Sequence, residues 1–191
     1  MKSKINIGIV AALLCTAASP AFAGESKFAQ ATNTAAIVFG ANPTEQQEVT
    51  AILAKSDKST AAVKLYARGG AGKALVNVAS TSGAQVVYFA NDSLAFNTND
   101  LVVYQHGDGT LLATTVASGV MTGGVTLATG LTKAGSTADR IYEVTQQGEI
   151  TIGTTALNVA GYTVFVGPAD SPLYVTADGN TNVTLTVSKR P

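Results

Sequence analysis

Residues 68–74 read RGGAGKA, a glycine-rich stretch that follows the apolar run AAVKLYA and carries a Gly-Lys pair. Such a stretch does chemistry when its backbone amides wrap a phosphate, its lysine reaches that phosphate and a following hydroxyl binds Mg²⁺. That requires G-x-x-x-x-G-K-[ST]. With Gly72-Lys73 as the final pair, the first glycine position falls on Ala67 and the hydroxyl position on Ala74. Both fail. The stretch is expected as a flexible turn, in which Gly69, Gly70 and Gly72 supply positive φ at little steric cost.

His106 is the single histidine, two residues before Asp108 in QHGDGT. A Ser-His-Asp device needs the acid to orient the imidazole and the imidazole to reach a serine. So close together in a Gly-rich turn, the pair is expected to decorate an exposed hairpin. Cys15 is the one cysteine and lies in the N-terminal apolar run. Once that run is removed, thiol chemistry and thiolate metal sites are excluded, and a lone histidine makes a transition-metal site implausible.

Glycosidases need only two carboxylates. The twelve acidic residues are scattered, and no spacing singles out a pair. Trp is absent, and Tyr66, Tyr88, Tyr104, Tyr142, Tyr162 and Tyr174 all lie inside strand candidates, where packing or a sheet face explains them. A tyrosine-bearing sugar face is the competing reading. Asp178, Asn180 and Asn182 in DGNTN match the first half of a calcium loop, but Val183 stands at its glycine position and Lys189 at its final acid. They are a weak Ca²⁺ candidate, better read as a turn; FNTND (96–100) is similarly incomplete. No cofactor is implied and no catalytic residue is nominated.

The elements that carry these residues begin with an N-terminal address. Lys2 and Lys4 precede the apolar run INIGIVAALLCTAA (5–18), and Ala21-Phe22-Ala23 offers a small-x-small cleavage site. The run is short of the ~20 residues that span a bilayer. Residues 1–23 are expected as a cleaved secretory signal, 24–34 as a flexible arm and 35–191 as one all-β domain. The product is expected to be periplasmic, on the cell surface or extracellular.

Export usually reaches a compartment that permits disulfides, yet this chain would have none, so packing, backbone pairing or assembly must hold it. Charged residues make up 13% of the chain, against ~25% in an ordinary soluble domain. A lightly charged surface is cheap to cover with another subunit. No basic patch invites nucleic acid, and no membrane span is expected after the signal.

From residue 35 onward, short β-branched or aromatic runs alternate with Gly, Asn, Asp and Ser. They predict a single-domain antiparallel sandwich or barrel-like fold of about 10–13 short strands. NVTLTVS (182–188) alternates cleanly, with Val183, Leu185 and Val187 on one face and Thr184, Thr186 and Ser188 on the other. ALVNVA (74–79) reads as a strand of its own. Turn residues predict hairpins closing at HGDG (106–109), at QQG (146–148) and at DGN (178–180). Residues 44–55 fit either a capped helix or a strand; the strand is preferred because AVKLYA follows as a hairpin partner across Ser56-Asp57-Lys58.

The pattern leads to a non-catalytic structural protein, a self-associating subunit of a layer, filament, fibre or virion-like particle. A carbohydrate-binding β-module is the alternative, with glycan as its partner, and a glycoside-type hydrolase is a lower one.

Overall fold

The computed structural model describes residues 25–31, 36–90, 95–121, 123–178 and 181–190. The expected signal segment 1–23 lies outside them, as does Asn180 of the calcium candidate. The chain is all-β, with no helix among the described residues. In order, the strands are β1 (Glu25–Ala31), β2 (Ile37–Phe39), β3 (Gln46–Ser56), β4 (Ala61–Leu75), β5 (Val86–Tyr88) and β6 (Leu101–Gln105). There follow β7 (Leu111–Met121), β8 (Gly124–Leu127), β9 (Arg140–Ile152), β10 (Leu157–Val166), β11 (Leu173–Ala177) and β12 (Thr181–Arg190).

All strand pairings are antiparallel and fall into two sheets, ordered β1-β12-β3-β10 and β2-β11-β4-β9-β6-β7-β8-β5. Residues 44–55 supply a strand, as preferred, and the alternation in β12 buries Val183, Leu185 and Val187. Ser188 is buried as well. Segment 24–34 contains β1, which pairs with β12 from Glu25↔Val187 to Ala31↔Thr181.

Two cores form. The first joins Val49 and Ile52 of β3 and Leu185 of β12 to Val63 and Leu65 of β4 and Val175 of β11, so it draws on both sheets. The second lies within the larger sheet and takes Ala74, Val87, Tyr104, Leu112, Val125 and Ile141 from six successive strands, with Phe96 and Leu131 from loops. Fully burying a Val, Leu, Ile or Phe side chain in these cores contributes roughly 1.5–3 kcal/mol. The bridge Val76↔Phe89 brings the end of β4 back to β5, flanked by Asn77 N–H to Tyr88 O and Ala90 N–H to Leu75 O, both 3.1 Å. The sheet curls but does not form a closed barrel. ALVNVA is therefore the tail of β4 and its bridge, not a separate strand.

β4 and β9 run through both cores, and their irregularities overturn two expectations. Between Arg68↔Val144 and Lys73↔Tyr142, β4 advances from 68 to 73 while β9 moves only from 144 to 142. RGGAGKA thus carries a bulge of three extra residues inside a strand, with φ of 50° at Gly70 and 87° at Gly72. Positive-φ glycines serve bulges as well as turns. QQG is likewise no hairpin turn: Leu65 pairs with Gly148 and Tyr66 with Gln146, leaving Gln147 as a single bulged residue in continuous β9.

The β6–β7 hairpin closes where expected, with His106 N–H to Thr110 O at 2.9 Å. The other proposed partnerships fail. β3 and β12 belong to the smaller sheet while β4 and β11 belong to the larger, so Asp57-Lys58 and Asp178 begin or lie in crossings between sheets. A polar turn looks the same in sequence whether it returns along its own sheet or crosses to the other.

Candidate functional site: a buried carboxylate hub

His106 follows β6 directly and turns inward, where it is 2% exposed, correcting its expected place on the hairpin surface. Its partner is Asp139, not Asp108: Nδ1 lies 3.0 Å from Asp139 Oδ2. Asp139, just before β9 and 1% exposed, also accepts from Tyr104 O–H at 2.7 Å and Gly107 N–H at 2.9 Å. Ser136 adds its N–H at 2.9 Å and its O–H at 2.7 Å. Asp108 instead faces outward, accepting from Thr110 N–H at 3.0 Å and ion-pairing with Lys133, which holds its carboxyl well below the usual range.

Burial alone would raise the Asp139 pKa. The hydrogen bonds from Ser136, Tyr104 and Gly107 outweigh it and hold the carboxyl at about 2. Burial pushes the Tyr104 phenol up, and its bond to the Asp139 charge pushes it further. An ionised carboxylate only accepts, so His106 Nδ1 carries the proton. Nε2 is buried without a hydrogen-bond partner among the described residues. Ser136 bonds the acid rather than the imidazole, so the order of contacts is not that of a Ser-His-Asp relay. The hub ties the β6–β7 hairpin to the loop before β9.

This sets an acid limit. Asp139 titrates near 3.9 when unfolded and about 2 when folded. Its contribution, roughly 2–3 kcal/mol, is present above pH 4 and lost as pH falls from there towards 2. Urea unfolding across pH 7 to 2 should show that loss, with the Asp139 carboxyl-carbon NMR signal moving near pH 2. Titration near pH 4 would contradict the hub.

A second cluster anchors the β4 bulge. Asp170, at φ 52° and largely buried, ion-pairs with Lys73 and accepts from Tyr142 O–H at 3.0 Å. Burial pushes the Asp170 carboxyl up, but Lys73 and Tyr142 bring it below its ordinary value. Ser171 Oγ accepts from Arg68 N–H at 2.7 Å, and its carbonyl accepts from Gln47 Nε2 at 3.2 Å. Lys73 of the glycine-rich stretch thus faces a carboxylate.

The remaining sequence candidates do not converge. Asp178 is exposed and lies 3.7 Å from Lys64, while Asn182 is exposed on β12. Among the described residues no group of three or more acidic, His or Cys side chains is placed to hold a metal. Asp100 folds back onto Asn97 N–H at 2.5 Å, a turn. Tyr104 and Tyr142 are fully buried, Tyr66 and Tyr174 meet edge-to-face at 5.5 Å, and Tyr88 and Tyr162 are exposed on different sheets. No family model and no curated protein matches the chain.

Sequence reasoning missed Asp139. The available signal was the S-x-x-D spacing of Ser136 and Asp139, which lets a carboxylate fold back on the amide three residues earlier.

Proposed function

We propose that the chain is an exported, non-catalytic structural subunit of a surface or extracellular assembly. The two sheets are read as a β-sandwich over the first core, continued by a curled, barrel-like half around the second. The observation that carries the functional reading is where the apolar side chains left in water lie. Tyr162 is 77% exposed and Val166 37% on β10, Leu53 is 48% exposed on neighbouring β3, and Leu75 and Tyr88 flank the β4–β5 bridge. These are strand positions that another subunit covers at little desolvation cost. The inward-turned His106–Asp139 hub supports the non-catalytic part, since its bonds serve the fold.

Light scattering of the purified protein, with negative-stain microscopy of the same sample, tests this. The expected result is a stable oligomer or filament. A single-chain mass at every concentration would sink the assembly reading and return attention to glycan binding at the exposed tyrosines.

A further inference from the structure

The two sheets end in β1 and β10, and in β2 and β5. An open strand edge presents unpaired backbone groups to any other strand, and proteins blunt such edges by shortness, charge, proline or a bulge. β2 and β5 are three residues each. β1 carries Glu25 and Lys27. β10 has a bulge as its protection but none of the others: it is ten residues long, LNVAGYTVFV, without charge or proline. Residues 150–169 around it carry no charged side chain.

Its one irregularity is a bulge. From Ala160↔Ala51 to Phe165↔Val49, β10 advances from 160 to 165 while β3 moves from 51 to 49. The bulge divides β10 into two usable lengths. After it, Phe165 and Val166 pair with β3 and Gly167-Pro168 follows, where proline offers no amide. Before it, Leu157–Ala160 runs in regular register against Ala54–Ala51. Asn158 and Ala160 are exposed there, and Asn158 pairs with half-exposed Leu53.

We propose that the Leu157–Ala160 edge of β10 is a homotypic interface, pairing antiparallel with the same edge of a second copy about a two-fold axis. This rests on the assembly reading and names its surface. A strand edge takes another strand edge, and an uncharged one neither selects nor repels by charge. Among the described strand edges, β10 is the long uncharged one, and two copies of it match. The pairing joins two four-stranded sheets into one of eight, and an isologous contact closes at the dimer.

The test uses the full chain with Cys15→Ser, so that introduced cysteines are unambiguous. Asn158→Cys and Ala160→Cys should each give covalent dimers with a short bis-maleimide, whereas Tyr88→Cys on β5 should not. The double variant Asn158→Lys/Ala160→Lys should dissociate at tenfold higher concentration or more than the parent, with circular dichroism and melting midpoint unchanged. An associated parent whose lysine variant associates equally, without cross-links at 158 or 160, overturns the β10 interface and leaves assembly through another surface. A parent that is a single chain throughout overturns both. Cross-linking at 158 to a different polypeptide, with no dimer, overturns self-pairing in favour of a foreign strand.

Discussion

Asp139→Ala should lower the free energy of unfolding by about 4 kcal/mol, one of the two largest single-residue effects expected in this chain. The carboxylate receives Tyr104 O–H, His106 Nδ1–H, Gly107 N–H and both donors of Ser136. Alanine leaves all five without that acceptor, and two of them, Tyr104 O–H and His106 Nδ1–H, belong to buried side chains that water does not reach. A buried donor left unpaired costs roughly 1–3 kcal/mol, and water entering the vacated volume recovers part of the total. Asp139→Asn should cost less than alanine, because one oxygen remains, but its amide hydrogens then face donors. Urea unfolding at pH 7 measures both. Asp108→Ala is the control: that carboxylate is exposed, and its loss should leave the midpoint unchanged. An alanine variant at 139 within 1 kcal/mol of the parent would mean that the five donors have other acceptors.

The hub also shows where the sequence was legible and where it was not. HGDG announces the β6–β7 turn correctly, because Gly109 at φ 87° is a local requirement with a local signal. The partner of His106 is not local. Asp108 is two residues away and points out; Asp139 is 33 residues on and points in. Alternation in β12 is legible for the same reason that its sheet is not. A period of two reports which residues face a core, and says nothing of which strand lies alongside. Val183 and Leu185 are therefore read as buried, while the supposed hairpin with β11 dissolves into a crossing between sheets. β3 follows the same logic: its residues make a strand, but its neighbours are β12 and β10.

Gly70→Ala should cost about 3 kcal/mol, against about 1 kcal/mol for Gly72→Ala two residues later. Both glycines have positive φ, 50° and 87°, so both substitutions carry the backbone penalty of a side chain in that region. Only Gly70 adds a collision. A Cβ there would lie 2.0 Å from Glu143 Oε1 and 2.2 Å from its Cδ, whereas one at Gly72 meets nothing within 4 Å. Glu143 is 7% exposed, so its carboxylate cannot swing aside without disturbing packed neighbours. A double-mutant cycle separates the two terms. In a Glu143→Ala background the cost of Gly70→Ala should fall to that of Gly72→Ala, and the difference is the collision. Equal costs at 70 and 72 in the parent would mean that the bulge does not rest on Glu143. What RGGAGKA does is therefore mechanical. It lets one strand step outward over a buried carboxylate and resume its ladder, so that β4 and β9 run through both cores, with Lys73 of the resumed strand tied to Asp170.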